Sequence, residues 1–218
     1  MSYLLNPANY DLNDQSSIPN LLLQHLSIVG IAMLISVIVA IPVGIVVARY
    51  RRLYAPIVTI TGLMYTIPAM VLLAFLVPFT GLNPPTIIIP LIVYTQLVLI
   101  RNTAAAINGL DPLLLEVGRA VGMNRWQVLW RVTLPLALPV IVAGIRVATV
   151  TTIGIASLAK LIGVDDLGTL IFIGITNLNN DQVIAGAILI SLLAILADLL
   201  LLAVQAALNR GRSALSVA

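Results

Sequence analysis

Arg146 and Asp198 are ionisable residues set inside long apolar runs, where a charge is costly in lipid and is ordinarily paired or put to use. They lie eleven residues from Pro135 and ten from Leu208, the ends of those runs, or roughly 15–17 Å at about 1.5 Å per residue. Similar depth allows a direct ion pair, whose chemistry is charge neutralisation between two helices. Other chemistries find no residues. With one histidine, His25, and no cysteine, no histidine or thiolate metal cluster can form, so no metal site is expected, and no Ser-His-Asp arrangement is credible. The single lysine, Lys160, stands in SLAKLIG, unlike the glycine-rich turn ending in Lys-Ser/Thr that cradles phosphates. No catalytic residues are expected, and any ATP hydrolysis belongs to another polypeptide.

Polar neighbours accompany both charges. Arg146, Thr149, Ser157 and Lys160 fall within an arc of roughly 80° at about 100° per residue, and Ser191, Asp198 and Gln205 recur every seven residues. Two readings stay open for these stripes: they line a translocation path or its gate, or they bond helix to helix. Tyr65 and Tyr94, the tyrosines well inside apolar runs, likewise read as path residues or as core.

The elements that must position these residues are membrane spans. Hydrophobic residues make up 61% of the 218-residue chain and charged ones 9%, against about a quarter charged in soluble domains; the mean hydropathy is +1.12. An all-α integral membrane protein follows, with five core spans at about Leu21–Ala48, Pro56–Val77, Pro85–Asn108, Pro135–Lys160 and Val183–Leu208. The N-terminus lacks the basic stretch and cleavage site of a signal peptide. Residues 1–20 form an extracytoplasmic segment, 21–208 the membrane domain and 209–218 a cytoplasmic tail.

Charge distribution sets the orientation, because Arg- and Lys-rich short loops stay cytoplasmic. With the N-terminus outside, Arg49, Arg51, Arg52, Arg101, Arg119, Arg125, Arg131, Arg210 and Arg212 collect inside against Asp111 and Glu116. Asp11, Asp14, Asp165, Asp166 and Asp181 collect outside with Lys160. In the second span, Pro68 within TIPAM is expected to kink the helix as a matter of packing. An odd number of spans argues against an inverted-repeat carrier complete in one chain. The expected surroundings are lipid and a partner chain, with no nucleic acid.

The segment at about 109–134 carries helix punctuation. Gly109 ends the third span, Asp111-Pro112 starts a helix and Gly122 closes it as a left-handed residue. Asn124 and Gln127 then have the spacing of a capping box, predicting a second short helix. Trp126 and Trp130 share one face; Trp130 reads as an interfacial anchor.

Glu116-Val117-Gly118, three residues to Gly122, then nine to Val132-Thr133-Leu134-Pro135 resembles the loop motif of permease subunits of binding-protein-dependent ABC importers. Val117 and Gly118 replace two alanines of that motif, and Val132 an isoleucine. Glycine inside a helix costs about 1 kcal/mol relative to alanine, so a looser or reshaped helix is expected there. TIPAM, Arg101-Asn102-Thr103, Gly109-Leu110-Asp111-Pro112, LPLALPVIVAGIR at 134–146 and LIG at 161–163 are similar to the permeases for glycine betaine, choline, carnitine and other osmoprotectants.

The resemblance implies a non-catalytic transport subunit of a bacterial or archaeal cytoplasmic membrane. It implies two ABC ATPase subunits binding ATP and magnesium, a second permease copy or close homologue, and an extracytoplasmic substrate-binding protein. The chain itself would hold no cofactor. Glu116, Arg119, Gly122, Trp126, Leu134 and Pro135 would couple the ATPase to the spans. Tyr65, Tyr94, Arg146, Thr149, Ser157, Ser191 and Asp198 would be placed on the path or gate. A quaternary ammonium is recognised by aromatic cages, and here both tryptophans lie in the loop, so substrate affinity is expected to reside mainly in the binding protein. Another small solute, such as an amino acid, or an ATP-independent carrier are the alternatives.

Overall fold

The computed structural model describes residues 2–213, which form helices and turns without a strand. In chain order the α-helices are α1 (Ser2–Leu5), α2 (Ile18–Arg49), α3 (Arg51–Thr66), α4 (Ala69–Thr80), α5 (Pro84–Asn108), α6 (Pro112–Ala120), α7 (Arg125–Val128), α8 (Leu134–Ala156), α9 (Gly168–Thr176) and α10 (Asn180–Ser213). Four helical stretches are long and apolar enough to cross a membrane: α2, α5, α10 and the continuous run Arg125–Ile162. A fifth exists if α3 and α4 count as one span. Residues 214–218 of the expected tail lie outside the described residues, and its first part continues α10.

Helices α2, α5 and α8 form the centre. Thr95 of α5 donates to Ser36 of α2 at 2.6 Å. Eight residues further along each helix, Gly44 backs onto Thr103, so closely that an added Cβ would lie 2.5 Å from the Thr103 Cβ. Equal steps in the same direction make α2 and α5 parallel. Helix α8 runs the other way: its Ala137 and Ile141 pack with Ala106, its Gly144 abuts Asn102, and its Thr152 reaches the Met33 sulfur of α2 at 3.5 Å. Small residues at these crossings let backbones approach, and close packing with interhelical hydrogen bonds is what holds helices together where lipid is as apolar as leucine.

The expected second span differs from a kinked helix. Between α3 and α4 the chain turns by 90°, because Pro68 has no N–H to donate and Ile67 is extended at ψ 126. The break is held from outside. The Tyr94 hydroxyl donates to the Ile67 carbonyl at 2.7 Å, and the Tyr65 ring meets the Tyr94 ring edge-on with centroids 5.9 Å apart.

Three further features depart from the sequence expectation. The second short helix is not separate: α7 passes through a π-helical segment, Leu129–Thr133, directly into α8. After Ala156 the fourth span tightens to a 3-10 helix, Ser157–Ile162, so the count of 100° per residue does not carry the Arg146 stripe to Ser157 and Lys160. The connection to the last span contains α9, whose nine residues are too few to cross the hydrocarbon core. It packs on the start of α10, with Gly186 against Ile171 and Gly174 against Val183.

Candidate functional site

The loop between α5 and α8 is built by local hydrogen bonds. Gly109 caps α5, its N–H bonding the Ala105 carbonyl at 2.9 Å. The Asp111 carboxylate accepts from the Leu113 N–H at 2.9 Å and Pro112 occupies the first turn of α6. At the other end Gly122 takes φ +84. The Met123 N–H then reaches the Gly118 carbonyl at 3.2 Å and the Gly122 N–H the Arg119 carbonyl at 2.9 Å, the paired bonds of a Schellman turn. Asn124 and Gln127 form a reciprocal capping box, with bonds of 2.9 and 2.8 Å.

Gly118 does not loosen this helix. It is buried, and α6 runs unbroken from Pro112 to Ala120. The Val128 and Val132 methyls lie 3.6 Å from where a Cβ would stand, an ordinary van der Waals contact, so α6 packs on the start of the next span with room for an alanine at this position.

Helix α6 has two faces. Pro112, Leu115 and Arg119 line a cavity of about 700 Å³ that also touches the last turn of α2, the last turn of α5, and Arg125, Trp126 and Leu129. The opposite face exposes Leu113, Leu114, Val117 and Val121, at 60%, 44%, 53% and 67%; such an apolar patch on a short amphipathic helix fits a protein groove. Glu116 is exposed between the two faces. Trp126 and Trp130 are both exposed, while Leu134 and Pro135 open α8. The loop thus brings together Glu116, Arg119, Gly122 and Trp126, with Leu134-Pro135 at its exit.

Farther from the loop, Arg146 and Asp198 do pair. The Arg146 Nε and Nη2 donate to the two Asp198 oxygens at 2.9 Å each, and Nη1 donates to Gln205 Oε1 at 2.8 Å. This fork ties α8 to α10 by a bidentate geometry that arginine supplies and lysine does not. The heptad spacing of Asp198 and Gln205 therefore has a direct meaning. Thr149 and Ser157 turn their hydroxyls back to the Ile145 and Gly154 carbonyls, and Ser191 is exposed. Lys160 turns away to Asp165 at 2.6 Å. Tyr65 and Tyr94 meet at the α3–α4 break, apart from the Arg146 fork, Tyr94 being 5% exposed and Tyr65 44%.

One pair has no counterpart in the sequence reading. His25 Nδ1 lies 3.0 Å from Asp166 Oδ2, both side chains being fully buried, and Asp166 Oδ1 accepts the Gly168 N–H at 2.9 Å. This ties α2 to the turn that leads into α9. A lone histidine and an aspartate 141 positions away leave no local signal to be read.

A multi-pass, all-helical membrane chain with a capped, two-faced helix between its spans is the class that fold and loop define. Residues 40–213 match the family described as the binding-protein-dependent transport system inner membrane component, and the chain belongs to that family. It is therefore an inner-membrane, non-catalytic transport component. It is 40% identical over 187 residues to the carnitine transport permease protein OpuCD of Listeria monocytogenes, covering 85% of this chain and 84% of that one. It is 35% identical over 210 residues to the osmoprotectant import permease protein OsmW of Salmonella typhimurium, covering 94% and 98%. To the glycine betaine/carnitine/choline permease protein OpuCD of Bacillus subtilis it is 43% identical over 177 residues, covering 81% and 76%. The inward-facing MetNI methionine ABC transporter shares the fold, with a TM-score of 0.76 at 23% identity over 85% of this chain and 93% of that one.

Proposed function

We propose that this chain is the permease subunit of an ATP-driven importer for glycine betaine, choline, carnitine or a related osmoprotectant delivered by an extracytoplasmic binding protein. The relatives' substrates support the solute class. The observation that carries the mechanism is the outward apolar face of α6, held between an N-cap and a Schellman turn. Two ATPase subunits would grip this face on two permease copies, with Glu116 donated as a charged hydrogen-bond acceptor and Gly122 fixing the angle to α7. Closure of the ATPases would pull on α8 through the unbroken run from Arg125 to Ile162, biasing the pore between two access states.

Five spans and an outside N-terminus fit the geometry. The parallel run of α2 and α5 supports this reading, in which the bent pair α3–α4 carries the chain back across the bilayer between them. The arginines at the ends of α2 and α5 and in the loop then share the cytoplasmic side. Residues 109–134 form the coupling loop. Arg146, Asp198, Thr149, Ser157 and Ser191, with Tyr65 and Tyr94, are proposed to shape the path or its gate, and substrate affinity resides chiefly in the binding protein. No cofactor is assigned to the chain; ATP and magnesium belong to the ATPase.

The test is uptake of labelled glycine betaine, choline and carnitine by cells carrying this permease with its ATPase and binding protein. Uptake should vanish when the ATPase is disabled, and Glu116→Gln should lower it while the permease stays in the membrane. Uptake that persists without the ATPase and follows an ion gradient would overturn the proposal.

A further inference from the structure

We propose that the cavity enclosed by the ends of α2 and α5 and the inner face of α6 binds an anionic phospholipid of the cytoplasmic leaflet. The cavity, about 700 Å³, is in the roughly 300–1,000 Å³ range of small-ligand sites. Its rim carries Arg49, Arg119 and Arg125, and the same three arginines line a neighbouring cavity of about 530 Å³. None of the three has a carboxylate partner among the described residues, the Arg49 guanidinium resting only over the Tyr50 ring at 5.9 Å, so no anion of the chain neutralises them and a phosphodiester can.

The wall beneath the rim is apolar. Ile45, one turn before Arg49, Ile107 at the end of α5, and Leu129 line it. Ile45 and Ile107 stand at the ends of α2 and α5 and Leu129 near the start of the stretch Arg125–Ile162, so the cavity stands at the boundary between hydrocarbon and water, where basic pockets between helices take lipid headgroups. A free phosphate would use the arginines and leave the apolar wall bare. A phospholipid satisfies both: phosphate on the arginines, the upper acyl chain along the isoleucines. An acidic segment of the ATPase is the less suitable occupant, because the proposed ATPase face of α6 points the opposite way, through Leu113, Val117 and Val121. Lipid so held would brace the inner face of α6 while the outer face is pulled, making the loop's stiffness depend on headgroup charge.

The cytoplasmic placement rests on the orientation proposed above, whereas lipid selectivity does not, and the two can fail separately. The full chain, purified in detergent, is mixed with phosphatidylglycerol or phosphatidylcholine and its retained lipids are counted by native mass spectrometry. The expected result is one phosphatidylglycerol retained over phosphatidylcholine, at least a tenfold loss of retention in the double variant Arg49→Gln/Arg125→Gln, and partial recovery in Arg49→Lys/Arg125→Lys. Fluorescence of Trp126 and Trp130 reports whether each variant keeps its loop. Equal retention of both lipids, equal phosphatidylglycerol retention by a folded glutamine variant, or displacement of the lipid by millimolar inorganic phosphate would each overturn the proposal. So would a glutamine variant that keeps its lipid and instead loses ATPase association.

Discussion

At the residue scale, two glycines four positions apart have opposite requirements. Gly122 at φ +84 occupies the left-handed region, which costs an L-residue about 1–2 kcal/mol. Gly118 is helical, and a Cβ there would make ordinary contacts of 3.6 Å, so alanine should recover up to about 1 kcal/mol of helix propensity. Gly122→Ala is therefore expected to lower the unfolding midpoint of the loop and Gly118→Ala to raise it. Both tryptophans of the chain lie in this loop, so intrinsic fluorescence follows the relevant unfolding directly. The Arg146–Asp198 fork makes a second demand. Removing one partner leaves the other charge unpaired inside the spans, so Arg146→Gln and Asp198→Asn should each reduce the yield of assembled transporter. Exchange of the two residues, Arg146→Asp with Asp198→Arg, should restore part of it, as measured by assembly and uptake together. Normal uptake in both single variants would remove the pair from the mechanism.

At the element scale, the 90° break between α3 and α4 depends on a donor from another helix. The Ile67 carbonyl lies past the last turn of α3 and, among the described residues, accepts only the Tyr94 hydroxyl; leaving it unmade in an apolar setting costs about 1–3 kcal/mol. Tyr94→Phe keeps the ring contact with Tyr65 and deletes that donor. A destabilisation of about that size, seen as a lower midpoint in thermal unfolding of the purified chain, is the expected outcome. Elements of this kind separate what the sequence could disclose from what it could not. Asp111-Pro112, Gly122 and the Asn124–Gln127 box were legible because each acts within three or four residues, and their bonds stand where the spacing predicted. The angle at Pro68 was not legible, since proline predicts only a missing donor and the direction of the turn is chosen by Tyr94, 27 residues away from Ile67. The π-helical step into α8 and the 3-10 end of the same run have no residue signature, and α9 was hidden because nine apolar residues fall short of any span. The depth match of Arg146 and Asp198 was readable from length alone, whereas the buried His25–Asp166 pair needed the fold to bring α2 beside the turn before α9.

At the scale of the whole molecule, the parallel pairing of α2 and α5 bears on the proposed topology. Had α3 and α4 dipped into the bilayer and returned to the same face, α5 would start where α2 ends and the two would be antiparallel. The eight-residue steps from Ser36 to Gly44 and from Thr95 to Thr103 run together instead, which supports the proposed five-span topology with the bent pair as one traverse. On that proposal the N-terminal segment and the α6 loop are expected on opposite faces. The absence of cysteine makes this directly measurable. Leu12 is 69% exposed and Val121 67%, so single Leu12→Cys and Val121→Cys variants present their thiols without disturbing a packed core. In intact spheroplasts a membrane-impermeant maleimide should label Leu12→Cys at once and Val121→Cys only after permeabilisation. Labelling of both from outside would mean that α3 and α4 do not complete a span, and labelling of Val121→Cys alone would invert the molecule and move the α6 docking face away from any cytoplasmic ATPase.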